Sequence, residues 1–188
     1  MEADRSKIGR KSMRKGKNRE RCVANALSLW WTEGKDSKAL RRTPMSGCFA
    51  GRATDGDIIP VTPEAEMFKF VTEVKDRKEI DEFDFAEILI NEKCSILQWW
   101  KTLNETIQNN PHKHAGKKRL LIVHKKHKDY CVVGIPEMTF LEDHMGKFPY
   151  MKIWTPFSET LIVFSLLSLL DSDPEALKTG FLDLKPNG

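Results

Sequence analysis

The sequence predicts a single α/β domain, a mixed central β-sheet flanked by helices, with a basic arm in front of it. Three observations carry that expectation. Two stretches, Asp57–Lys75 and Leu120–Ile135, read as pairs of short strands joined by turn-forming residues. Two others, Asn18–Trp31 and Ser95–Gln108, repeat their apolar residues at helical spacing. The chain has 188 residues and no internal repeat, enough for one sizeable core and too few for two full domains.

Charge is placed unevenly along the chain. Residues 1–21 hold nine Lys/Arg against three Asp/Glu, while the remainder holds 22 against 24. A basic arm on a near-neutral body points to a polyanionic partner, most simply nucleic acid. Residues 1–17 carry Arg5, Lys7, Arg10, Lys11, Arg14, Lys15 and Lys17 with almost nothing apolar, so a flexible, disordered arm is expected there. Such an arm can track phosphates or serve only as a solubilising tail. The single domain is expected over 18–188, with a C-terminal extension.

In the predicted first helix, Glu20, Val23, Ala24, Leu27 and Trp31 share one stripe, so Glu20 heads the face that packs on the sheet. An acid there either complements the helix dipole or takes part in a site. The Asp57–Lys75 stretch reads as an antiparallel hairpin. Asp57–Val61 is its first strand, Thr62–Glu66 the turn, and Met67–Lys75 the return strand. Alternation points Phe68, Phe70, Thr72 and Val74 to a core and leaves Glu73 and Lys75 on the other face. Antiparallel pairing would bring Asp57 beside Glu73 and Lys75. Two carboxylates and an amine at a strand end can hold Mg²⁺ and a water-positioning lysine, or can form an ordinary ion pair.

Helices are expected over Glu79–Leu89 and Ser95–Gln108. In the second, Ile96, Trp99, Trp100, Leu103 and Ile107 read as core rather than as a base-stacking platform. The strands Leu120–Val123 and Tyr130–Ile135 follow, joined by His124–Asp129. Four of the five histidines and seven Lys/Arg fall between His112 and Lys128, a phosphate-facing rim or a solvated tip. Lys125 and Lys126 lie just past a strand expected beside the hairpin, which makes them candidate DNA contacts. Met138–Trp154 reads as irregular structure ending in a short strand, Leu161–Phe164 as a buried strand, and Leu166–Leu170 as a short helix. This apolar surplus could also form a subunit interface. The longest apolar run, Leu161–Leu170, is too short to span a bilayer. Cys22, Cys48, Cys94 and Cys131 show no Cys-X-X-Cys pair, and no signal peptide is read. The expectation is a cytoplasmic protein with buried free thiols.

The order of these pieces carries a resemblance. Glu20-Arg21 on a helix, then Arg41-Arg42-Thr43-Pro44-Met45-Ser46-Gly47, then Gly56-Asp57-Ile58-Ile59, then Glu73-Val74-Lys75 resembles the PD-(D/E)XK nuclease superfamily. Within it, the pattern is similar to archaeal-type Holliday-junction resolvases and their phage relatives. The similarity covers residues 18–78, with longer spacers before Arg41 and between Cys48 and Asp55. It implies a restriction-endonuclease-like core, a phage, archaeal or bacterial source, and a homodimer. The implied activity is a Mg²⁺-dependent endodeoxyribonuclease, with Mn²⁺ as a substitute, acting on branched or four-way-junction DNA. Asp57, Glu73 and the Val74 carbonyl match metal ligands, and Glu20 matches a helper ligand acting through water. Lys75 matches the lysine beside the attacking water. Arg21, Arg42 and Ser46 match positions that contact the scissile phosphate, and Arg41 competes with Arg42 for that role. A restriction-like or general structure-selective nuclease fits the same quartet, and a non-catalytic nucleic-acid binder is the alternative of another class.

Overall fold

In a computed structural model of the chain, the described residues are 2–44, 56–77, 87–91, 93–125, 130–134, 149–155, 159–175 and 177–178, with side chains left out at 2–15, 77, 89–90, 125 and 130–133. The first helix, α1, runs Glu2–Trp31. It is longer than its apolar stripe: the basic segment expected to be disordered continues the helix. Arg, Lys, Met and Glu are good helix formers, the segment has no proline, and only Gly9 and Gly16 weaken it. The stripe itself packs as its spacing predicts. Val23, Ala24, Leu27 and Trp31 are buried, and α1 ends where Gly34, at φ 82°, donates its N–H to the Leu29 carbonyl at 2.6 Å.

Strand β1 (Leu40–Arg42), which the sequence reading did not assign, is held against α1 by a buried serine. Ser28 Oγ accepts the Leu40 N–H at 2.8 Å and donates to the Ala24 carbonyl at 2.7 Å. Strand β2 (Ile58–Pro60) pairs antiparallel with β1, placing Arg41 opposite Ile59 and Arg42 opposite Ile58. The expected hairpin between Asp57–Val61 and Met67–Lys75 therefore does not form. A short 3-10 helix (Pro63–Ala65) and the buried Ala65 and Phe68 occupy the connection, and Pro60 has no N–H to extend a ladder. The return strand, β3, begins only at Phe70 and ends at Arg77.

Helix α2 (Glu87–Ile90) overlaps the end of the helix expected over Glu79–Leu89, and residues 78–86 lie outside the described ones. Helix α3 spans Ser95–Gln108, as its spacing predicts. Ile96, Trp100 and Leu103 are buried there and Trp99 and Ile107 half-buried, so the tryptophan pair belongs to the core. Strands β4 (Lys118–Lys125) and β5 (Tyr130–Gly134) form the second antiparallel pair. Strands β6 (Tyr150–Trp154) and β7 (Thr160–Ser165) and the short helix α4 (Leu166–Leu170) complete the chain.

The main sheet has the order β3-β4-β5-β7-β6. Strands β3 and β4 are parallel, which the intervening helices permit, and every other pairing is antiparallel. Strand β4 thus lies beside the strand carrying Glu73 and Lys75. Trp31 of α1 meets Phe68 edge-on at 5.2 Å, and Phe68 meets Phe70 at 5.2 Å, so the helix is clamped to the strand by stacked rings. Leu161, Ile162, Val163 and Phe164 are all buried in β7, so that part of the C-terminal apolar surplus packs inside the domain, while Leu167 of α4 is 56% exposed. Cys94 is buried, and burial pushes its thiol pKa up. Cys22 is exposed, contrary to the expectation of a buried thiol, because it lies off the apolar stripe of α1. Among the described residues no helix is long and apolar enough to cross a membrane.

The ring contacts make Trp31 the costliest residue of α1 to lose. Trp31→Ala should cost about 3–5 kcal/mol of unfolding free energy in urea titrations. Trp154→Ala, at a position 69% exposed on β6, should stay within about 0.5 kcal/mol. Equal losses at the two sites would contradict this core.

Candidate active site

Asp57 is the centre of the site, and backbone geometry puts it there. Its N–H donates to the Thr72 carbonyl at 2.6 Å, and its carboxylate accepts the Val74 N–H at 2.9 Å. Both bonds lie on the edge of β3 that faces away from β4. The N–H and C=O of one residue leave an extended strand on the same side, so the Val74 carbonyl also points to the Asp57 edge. The approach needs a glycine before Asp57. Gly56 bridges to Thr72 at φ 84°, and a Cβ there would sit 2.4 Å from the Thr72 carbonyl oxygen. The expected proximity of Asp57 to Glu73-Val74-Lys75 is therefore present, reached by one parallel bridge rather than by a hairpin.

Around Asp57 the charges pair. Glu73 accepts a hydrogen bond from Lys75 Nζ, and Glu20 of α1 accepts one from Arg42 Nε of β1. Arg42 also donates to the Thr43 carbonyl at 3.1 Å. Among the described residues Asp57 pairs with no cation of its own, and it is only 9% exposed. Burial and the neighbouring Glu73 carboxylate push its pKa up to about 7, with a smaller push from Glu20. The Val74 N–H and the Lys75 ammonium oppose the rise. Three carboxyl groups close enough to repel one another, beside one inward backbone carbonyl, form a hard oxygen-donor set of the kind that suits Mg²⁺. Among the described residues no three acidic, His or Cys side chains make a ready cage. Mg²⁺ needs none, because it retains several waters and uses one or two carboxylates. The donor set fits the ion.

The other predicted residues fall in three places. Arg21 and Arg41 are exposed and line a hollow between α1 and β1. Lys125 ends β4 opposite Arg77, with its side chain outside the described residues, as are Ser46 and Lys126 altogether. The histidine-rich stretch is not simply a phosphate-facing rim. His114 and His124 are buried, and His124 Nδ1 lies 2.8 Å from Asp76 Oδ1, while His112 alone of the described three is exposed. Sequence reading missed this Asp76–His124 pair, which Arg19 of α1 approaches at 3.8 Å. The parallel register opposing Asp76 to His124 depends on the β3–β4 pairing, which the sequence does not state.

A helix carrying Glu20, a mixed sheet, and Asp57 on the edge of the Glu73-Val74-Lys75 strand are consistent with the PD-(D/E)XK class of nucleases. The model of the family described as "Phage putative PDDEXK endonuclease" matches residues 11–165, and the chain belongs to that family. Membership supports nuclease activity and implies DNA as the substrate. No curated protein and no solved structure matches the chain.

Two predictions test the placement of Asp57. Because its folded pKa is raised from 3.8 to about 7, Asp57 contributes stability below pH 4 that is lost as pH rises to 7. In metal-free protein, Asp57→Asn should therefore gain melting temperature over wild type progressively between pH 4 and 7, then level off. A constant offset across that range would mean that Asp57 is not a strained carboxylate. Gly56→Ala should release the strand edge and cost about 1–3 kcal/mol. Hydrogen exchange at the Val74 amide should accelerate in that variant, and unchanged protection there would contradict the close approach.

Proposed function

We propose that this chain is a Mg²⁺-dependent endodeoxyribonuclease that resolves four-way DNA junctions as a homodimer, with Mn²⁺ able to substitute. The observation that carries the nuclease chemistry is Asp57 bonded to the β3 edge, with Glu73 and the Val74 carbonyl beside it. These three would hold the ion, and Glu20 would assist through water. When bound, Mg²⁺ supplies Lewis-acid activation of the scissile phosphate and of the attacking water.

The protein's own groups account for the remainder. Lys75, drawn to Glu73 at rest, carries an ammonium that can orient the attacking water and stabilise the negative charge as that water loses its proton; only the neutral amine could accept the proton itself. Arg42 of β1 is held by Glu20, whose charge acts on Asp57, and by the Thr43 carbonyl, and its planar fork suits bidentate contact with a phosphate. Lys125 and Lys126 follow the strand paired with β3, so they suit contacts to the adjoining DNA backbone.

The junction and dimer readings rest on the resemblance of the Glu20 to Lys75 pattern and on symmetry. A four-way junction is close to two-fold symmetric, and two opposed nicks need two active sites related by that axis. Tyr150 and Trp154 are exposed on one face of β6, which ends the sheet, and offer apolar surface to a second copy.

The test is a panel of labelled four-way junction, flap, duplex and single strand, with and without Mg²⁺. Asp57→Asn, Glu73→Gln and Lys75→Ala should each lower cleavage by a thousandfold or more; in the two carboxylate variants DNA affinity without metal should stay equal or rise, as the removed acids no longer repel phosphate. Junctions should be cut in preference to duplex. Wild-type rates in the two carboxylate variants would reject the active site, and equal cutting of duplex and junction would reject resolution alone.

A further inference from the structure

The hollow between α1 and β1 gathers cations, among them Arg21 and Arg41, which the resemblance sets against the scissile phosphate, and Lys38, which it does not. It encloses about 390 Å³ and is lined by Arg21, Ala24, Asn25, Lys38, Arg41 and Arg42. Among the described residues no acid lines it. Arg42 turns its Nε to Glu20, whereas among the described residues the side chains of Arg21, Lys38 and Arg41 make no ion pair or hydrogen bond. Three uncompensated cations facing one hollow repel one another until an anion enters. Lys38 and Asn25 were no part of the sequence-predicted site.

Position separates this hollow from the Asp57 edge. Arg21 and Asn25 are four residues apart and so form one row on α1, with Ala24 between them as a small floor. That row is turned about 100° from the row of Glu20, which faces the sheet. On the other flank of Glu20, Arg19 reaches Asp76 of β3. The Glu20–Arg42 ion pair joins the two regions, Glu20 acting on Asp57 and Arg42 lining the hollow with the three cations that make no ion pair among the described residues.

We infer that Arg21, Lys38, Arg41 and Asn25 form an anchoring seat for DNA backbone phosphates next to the one that is cleaved. The chemistry matches: guanidinium forks and an ammonium for the anionic oxygens, and an amide N–H to fix orientation, with nothing that reads a base edge. Binding there would hold the strand in register while the scissile phosphate lies at Asp57. The inference rests on the nuclease reading for its ligand, but not for its test.

The experiment measures DNA binding by fluorescence anisotropy in EDTA across a salt series, with the full-length Asp57→Asn chain, so that cleavage plays no part. Adding Arg21→Ala, Lys38→Ala and Arg41→Ala should make the slope of log K against log salt shallower by about two to three, at about 0.9 per phosphate contact. Arg21→Lys with Arg41→Lys should keep the slope, and thermal melts confirm folding. An unchanged slope in the folded triple variant would overturn the seat. In the otherwise wild-type chain, with Asp57 intact, the same triple change should raise the half-saturating protein concentration for junction cleavage far more than it lowers the saturated rate. A saturated rate that collapses with unchanged half-saturation would place the scissile phosphate in the hollow and overturn the inference. Failure of wild-type protein to cut any DNA would refute the nuclease reading and leave the binding result standing.

Discussion

The site depends on one backbone contact, the docking of Asp57 on the outer edge of β3. Two hydrogen bonds, from Asp57 N–H to Thr72 and from Val74 N–H to the Asp57 carboxylate, fix both the chain and the side chain. They also satisfy edge groups of the strand that would otherwise need water. Gly56 makes the approach possible, and β2 then leaves to pair with β1. Through that pairing the same contact sets where Arg41 and Arg42 sit relative to α1. One anchoring point thus orders the acid, the strand edge and the arginines.

Electrostatics around this anchor are held in balance by pairing. Glu20 is matched with Arg42 and Glu73 with Lys75, while buried Asp57 is left with only backbone and more distant help. Its pKa near 7 is the residue of that imbalance. Buried carboxylates crowded without equal positive charge cost stability, and a site that tolerates them is organised for something other than folding. The same logic, with the sign reversed, applies to Arg21, Lys38 and Arg41, which crowd positive charge without an acid among them.

Much of this was legible in the sequence, for a local reason. Helical spacing at Val23, Ala24, Leu27 and Trp31, and again at Ile96, Trp100 and Leu103, specifies which face is buried regardless of what covers it. Strand runs such as Leu161–Phe164 announce themselves by continuous apolar character. The Glu73-Val74-Lys75 alternation places its two charges on one face by backbone geometry alone. Misreadings arose where two outcomes share the same local pattern. A turn after Asp57–Val61 looks like a hairpin whether or not the strands pair, and a basic helix looks like a disordered arm.

The sequence by itself determined the helix faces, most of the strand segments, the oxygen-rich character of the Asp57, Glu73 and Glu20 set, and the uneven charge. Each follows from residue type and from periods shorter than one turn or one pleat. Only the tertiary structure decided partners. It paired β2 with β1, placed β4 parallel to β3, matched Asp76 with His124, and gathered Lys38 with Arg21 and Arg41 into one hollow. These are contacts between segments separated in the chain, chosen by which packing buries the rings of Trp31, Phe68 and Phe70, and no local pattern encodes that choice.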